Sequence, residues 1–227
     1  MNPKEIAARR AVEYVRDRMV VGLGTGSTAA WAIRALGERV AQGLQIQAVP
    51  TSSASADLAE ELGIELVTLE NEPVVDLTID GADEVDPGLD LIKGLGGALL
   101  REKIVAAAST RRIIVVDSVK LVPRLGTQAP LPVEVVPFGW PVAQRRLIED
   151  GLRVVLRQTA AGDEPFLTDN GNYILDCYFP KGIVQAAETE RRINDIPGVV
   201  ENGLFIGLAD LVIVGEEDGS CRVLPRR

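Results

Sequence analysis

Short strand-like apolar runs alternate with helix-like patterns through the first two-thirds of this 227-residue chain. That alternation constrains the fold more than any other feature, because parallel strands cannot be joined by hairpins and need a crossover, usually a helix. Residues 4–18 place Ile6, Ala7, Ala11, Val12, Tyr14 and Val15 at the spacing of an amphipathic helix. Met19 to Leu23 reads as a buried strand, and Ser27 or Thr28 can cap a helix over about 29–41. Strands are expected over 44–49, 64–69, 74–79 and 112–117, with helices opening at Thr51 and near Ala98. Near-continuous Val/Ile strands of this kind imply an α/β fold with a mostly parallel, doubly wound (Rossmann-like) sheet covered on both faces.

The texture changes after Leu121. Four of the 13 prolines, Pro130, Pro132, Pro137 and Pro141, fall within twelve residues and suggest a domain entry. Beyond it the pattern reads strand (133–136), helix (142–150), strand (153–158), strand (173–179), helix (186–196), strand (199–205). That βαββαβ order is the ferredoxin-like signature. The expected organisation is a catalytic α/β domain, 1–129 plus 203–227, carrying a small α+β insert at 130–202, with a strand at 211–215 returning to the first sheet.

Histidine is absent, which rules out a Ser-His-Asp triad, a Cys-His dyad and a His-ligated metal. Proton traffic near neutral pH must then run through Asp, Glu, Lys or backbone dipoles. Cys177 and Cys221 are too few for a disulfide framework or a thiolate zinc site, and a reducing cytoplasm is the default setting. The 24 basic and 33 acidic residues leave a net charge of −9, which disfavours a nucleic-acid or anionic-membrane partner. No apolar run approaches the roughly 20 residues of a membrane span.

Four motifs sit just after expected strands or at helix starts. Gly22-Leu-Gly-Thr-Gly-Ser-Thr28 lets a ligand approach the backbone at a helix N-terminus, where free N–H groups favour anions. It lacks the lysine of a P-loop and departs from the dinucleotide fingerprint, so a mononucleotide or sugar-phosphate cradle fits better; a simple tight turn with a cap is the alternative. Asp80-Gly-Ala-Asp-Glu-Val-Asp86 places four carboxylates at a strand end, where open α/β sheets bind ligands, although a solvated acidic loop or a calcium loop would share that composition. Lys93-Gly-Leu-Gly-Gly97 opens a helix containing Glu102, a residue that taken alone would more often be a solvent-facing charge. Asp117-Ser-Val-Lys120 offers a lysine to an anion.

Together GLGTGSTA (22–29), PTSS (50–53), DGADEVD (80–86), KGLGGALLREKI (93–104) and DSVK (117–120) resemble the motif set of type A ribose-5-phosphate isomerases. The resemblance runs over essentially the whole chain. It implies interconversion of ribose 5-phosphate and ribulose 5-phosphate in the non-oxidative pentose phosphate pathway, with no metal and no organic cofactor. On the matching positions it implies Glu102 as proton acceptor; the chemistry of such an isomerisation then gives catalytic roles to Lys93, holding the oxyanion with the N–H groups of 94–97, to Asp80, opening the furanose ring, and to Asp83, ordering hydroxyls or shuttling protons between oxygens. The substrate would be held by Thr25, Gly26, Ser27, Thr28, Asp80, Gly81, Ala82, Asp83, Lys93, Gly94, Leu95, Gly96 and Lys120, with Lys4 a further candidate for the phosphate. Leu95 departs from the glycine common in the family. A cytoplasmic homodimer or homotetramer is expected, with each site complete in one chain.

Overall fold

The computed structural model describes residues 2–226. In chain order its strands are β1 (Val20–Leu23), β2 (Gln47–Pro50), β3 (Glu65–Leu66), β4 (Val75–Gly81), β5 (Glu84–Val85), β6 (Leu91–Ile92), β7 (Ser109–Asp117), β8 (Leu131–Val135), β9 (Arg153–Leu156), β10 (Tyr173–Tyr178), β11 (Val199–Asn202), β12 (Leu204–Phe205), β13 (Leu211–Gly215) and β14 (Cys221–Pro225). The α-helices are α1 (Pro3–Val12), α2 (Ser27–Ala41), α3 (Ser53–Glu61), α4 (Leu99–Ala108), α5 (Trp140–Glu149) and α6 (Ala186–Asn194). The described chain divides into two compact units: residues 2–82, 101–121 and 207–226 form the first, residues 83–100 and 122–206 the second.

The first unit is built on a seven-stranded sheet in the order β14-β13-β7-β4-β1-β2-β3, parallel except for the edge strand β14. Strands β1 and β13 are buried along their length, and β4 and β7 over their C-terminal halves, as the Val/Ile runs require of a sheet covered on both faces. Ala7, Ala8 and Ala11 of α1, with Ala32, Ile33 and Leu36 of α2, pack into the core cluster that holds Leu77, Ile79, Ile113 and Ile213. Helix α1 stops at Val12 rather than running to 18. The Arg39 guanidinium donates to the carbonyls of Val12 (2.5 Å) and Val15 (3.2 Å), satisfying backbone acceptors at that end.

Strand β13 returns to this sheet beside β7, and a carboxylate pins the join. Asp210 accepts from the Arg112 backbone N–H and Nε (each 2.8 Å) and from Nη2 (2.9 Å). Burial alone would raise the Asp210 carboxyl, but the Arg112 hydrogen bonds outweigh it and hold the group below the usual carboxylate range. A depressed folded-state pKa stabilises the fold above the ordinary carboxylate pKa of about 3.9, and the effect fades as pH falls through that value toward the lower folded one. Asp210→Asn is therefore expected to lose about 1 kcal/mol at pH 7, since the pair is partly exposed. Denaturant melts should find that difference shrinking toward zero below about pH 4.

The second unit carries a four-stranded antiparallel sheet in the order β11-β8-β10-β9, from a β-α-β-β-α-β chain order. This is the ferredoxin-like arrangement expected for the insert. Leu131, Val133 and Val135 of β8 pack with Ala143 and Leu147 of α5 and Ile193 of α6. The unit extends beyond 130–202, because residues 83–100 and 122–129 belong with it. Strands β5 and β6 pair with each other and β6 pairs with β12, forming a small sheet that two-residue strands could not announce by periodicity. The Glu84 carboxylate is fully buried and accepts from the backbone N–H groups of Gly126 (2.5 Å), Gln128 (2.6 Å) and Ala129 (2.7 Å). Those bonds tie 126–129 to β5. The proline-dense stretch thus begins a strand inside the unit rather than marking its edge.

Candidate active site

In the first unit, the loop between β1 and α2 is shaped by close backbone approach. A Cβ on Gly24 would lie 2.0 Å from Asp80 Oδ1 and 2.6 Å from Asp80 Cα, so only glycine lets the loop lie against the end of β4. Asp80, 2% exposed, accepts through Oδ1 from the N–H groups of Gly81 (2.7 Å) and Thr25 (3.1 Å). Asp80 and Gly81 are the last residues of β4 itself, where sequence periodicity suggested a loop.

Thr25 turns its hydroxyl into a buried hydroxyl network. Its Oγ1 lies 2.8 Å from Thr51 Oγ1 and 2.9 Å from Ser52 Oγ, and Ser55 Oγ donates to the Gly24 carbonyl at 2.7 Å. Residues 51–53 read in the sequence only as a helix start, and their signal is the set of hydroxyls placed directly after the carboxyl end of β2. Gly26 (φ +92°) precedes α2 and supplies no side-chain cap. Ser27 is exposed there and accepts from Lys4 Nζ at 3.2 Å, bringing a cation to the helix start. Thr28 faces Gly81, whose missing Cβ would sit 3.6 Å from Thr28 Cβ. Glu102 lies in the first turn of α4 at 4% exposure, and Lys120 ends a single 3₁₀ turn after β7, half-buried.

In the second unit, Asp83 accepts from the Leu95 N–H at 2.9 Å. Lys93 is 3% exposed, with its N–H on the Gly203 carbonyl (2.9 Å) and Nζ 5.4 Å from the centre of the Phe205 ring. Gly94 (φ +104°) and Gly97 (φ +84°) bend the loop, and the Gly97 N–H donates to the Gly94 carbonyl (3.0 Å). Leu95 exposes its side chain and Gly96 is exposed beside it. Two of the four carboxylates in 80–86 have structural work: Glu84 anchors 126–129, and Asp86 caps its own turn through Gly88 (2.8 Å) and Asp90 (2.9 Å). Ala82 precedes them, half-buried, at the end of a first-unit segment.

Among the described residues no group of three or more Cys, Asp or Glu side chains is arranged to hold a metal ion, and no helix is long and apolar enough to cross a membrane. Burial pushes the Cys177 thiol up, keeping it protonated.

The sequence model of the ribose 5-phosphate isomerase A (phosphoriboisomerase A) family matches residues 47–219. The chain is 60% identical to ribose-5-phosphate isomerase A of Gloeobacter violaceus over 95% of its length and 93% of that protein's. A solved D-ribose-5-phosphate isomerase in complex with phospho-erythronic acid superposes with a TM-score of 0.95 at 43% identity, covering all of both chains. The ribose 5-phosphate isomerase A of Methanocaldococcus jannaschii gives 0.93 at 45% identity over 98% of each chain. The chain belongs to the ribose 5-phosphate isomerase A family and is a sugar isomerase.

Proposed function

We propose that the chain interconverts D-ribose 5-phosphate and D-ribulose 5-phosphate, a step of the non-oxidative pentose phosphate pathway, by proton transfer from C2 to C1 through an enediolate. What carries this assignment is a carboxylate, Glu102, buried to 4% exposure in the first turn of α4 of a chain whose relatives bear that activity in their names. The reaction needs one base that can take and return a proton, and donors for the oxygen that becomes negative. Glu102 takes the C2 proton and delivers it to C1. Lys93 and the N–H groups of Gly94 and Gly96 hold the developing oxyanion.

Asp80 serves as base for opening the furanose ring. Asp83, whose Oδ2 accepts from the Leu95 N–H, orders the sugar hydroxyls and carries the O2 proton to O1, the transfer that must accompany the C2-to-C1 proton shift. The phosphate lies at the start of α2, against Ser27, Thr28 and the helix N–H groups, with Lys4 and Lys120 supplying positive charge. Gly26, Gly81 and Ala82 contribute backbone and the small size that lets the sugar approach. The phospho-erythronic acid bound by the solved relative fits this chemistry, because its carboxylate carries the planar shared charge of an enediolate. The scheme uses no metal and no organic cofactor. It includes a cytoplasmic homodimer or homotetramer with each site complete in one chain.

Lys120→Ala removes one phosphate contact remote from the reacting carbons. KM for ribose 5-phosphate is expected to rise about tenfold with kcat within about threefold, since a partly exposed charged hydrogen bond contributes about 1.4 kcal/mol. Steady-state kinetics checks this split. The assignment itself is tested by incubating the purified chain, in a chelating buffer, with ribose 5-phosphate. Formation of ribulose 5-phosphate supports it. Binding without turnover makes the chain a sugar-phosphate sensor, and activity that requires an added metal overturns the metal-free scheme.

A further inference from the structure

We propose that Arg157, locked by Asp176, is a positioning residue for the isomerisation: it fixes the Leu95 carbonyl and so aims the Gly96 N–H at the substrate. Both residues lie in the segment 130–202, which holds none of the motif residues. Arg157 follows β9, and Asp176 sits on the neighbouring strand β10. Arg157 Nε and Nη2 donate to the two Asp176 oxygens at 2.9 and 2.5 Å, and both side chains are largely buried. This two-point bond fixes the plane of the guanidinium. The remaining nitrogen, Nη1, then donates to the carbonyls of Gly94 and Leu95, each at 3.0 Å.

A trans peptide points its C=O and N–H in opposite directions. Holding the Leu95 carbonyl on the Arg157 side therefore turns the Gly96 N–H to the other side. The preceding peptide is held at both ends, its carbonyl by Arg157 and its N–H by Asp83 at 2.9 Å. Side-chain packing cannot supply this order at Leu95, which is 42% exposed. The loop is also closed from below by Phe166. The Arg157 guanidinium carbon lies 5.9 Å from the centre of that ring, and a Cβ on Gly97 would come within 2.6 Å of its edge. The Leu95 and Gly97 amides are already committed to Asp83 and the Gly94 carbonyl, so the Gly94 and Gly96 amides are the loop's donors for an oxyanion. A misaimed preorganised donor weakens the transition state more than the ground state.

This inference rests on the proposed use of that loop by the isomerase. Arg157→Lys keeps the charge but cannot span a carboxylate and two carbonyls. It is expected to lower kcat about 10- to 100-fold with KM within about threefold. Affinity for phospho-erythronic acid should fall in step with kcat/KM, while inhibition by inorganic phosphate stays unchanged. Asp176→Asn should reproduce the pattern at smaller size, and decides the matter if the lysine variant does not fold. A kcat within twofold of wild type in a folded Arg157→Lys overturns the proposal, as does a loss shared equally by phosphate and phospho-erythronic acid. Glu102→Gln is measured alongside: if it is inactive while Arg157→Lys is unimpaired, the aiming role fails and the base stands. If Glu102→Gln retains full activity, the site assignment fails and the aiming role with it.

Discussion

Glu102→Gln is expected to lower kcat at least 1000-fold, about the upper part of the range for losing a positioned general base, while the folded protein remains. Glutamine is nearly isosteric with glutamate, so the buried space in the first turn of α4 stays filled and no cavity term arises. What disappears is the only function an amide cannot supply, reversible proton uptake. With histidine absent from the chain, no neutral imidazole can substitute. KM should change by less than about threefold, because the phosphate contacts are untouched and loss confined to kcat marks an interaction of the transition state. Steady-state kinetics with a thermal melt checks both halves; a variant keeping a third of the wild-type rate would remove Glu102 from the mechanism.

Gly24→Ala is the largest expected effect from a residue that does no chemistry. The added methyl would stand 2.0 Å from Asp80 Oδ1, 2.2 Å from its Cγ and 2.6 Å from its Cα. A flexible side-chain tip could swing away, but a backbone Cα in the central strand β4 cannot. The β1–α2 loop must therefore move, and with it the Thr25 N–H on Asp80 and the hydroxyl network of Thr51, Ser52 and Ser55. Overpacking of this kind costs about 3 kcal/mol, and the displaced Asp80 should lower kcat/KM about 100-fold, a transition-state loss of about 2.7 kcal/mol. Urea denaturation and kinetics on the same preparation measure the two effects. By contrast, alanine at Gly26 meets no atom within 4 Å and is strained only by its φ of +92°, so it should cost less.

The parallel sheet was legible because its central strands are buried on both faces. Runs of β-branched residues such as Ile113-Ile-Val-Val116 favour a strand over a helix of the same apolar character. The ferredoxin-like order was legible for a related reason, since its helices and strands each last several residues. The small sheet of β5, β6 and β12 was not: two-residue strands carry no period. That small sheet is why the second unit takes in residues 83–100 and 122–129 as well as the βαββαβ segment. Strand β14 escaped notice because it is an exposed edge with mixed residues.

Motif residues were legible as residue types, and less so as contacts. All four carboxylates of the acidic run 80–86 accept backbone N–H groups, but Glu84 alone is fully buried against the distant 126–129 loop and Asp86 alone closes its own turn. Local sequence could not separate them, because Glu84's partners lie more than 40 positions away. Arg157 was invisible for the same reason. Its partners Gly94, Leu95 and Asp176 come from distant segments, and an isolated arginine beside a strand is ordinarily a solvated charge.

The most direct test of the central claim is isomerisation of ribose 5-phosphate in D₂O, followed by NMR over many turnovers. A proton carried by Glu102 exchanges in part with solvent, so wild-type protein should accumulate deuterium at C1 of ribulose 5-phosphate and at C2 of ribose 5-phosphate. Glu102→Gln should incorporate none. Repeated isomerisation without any solvent deuterium at either carbon would mean direct hydride transfer, and would contradict the account.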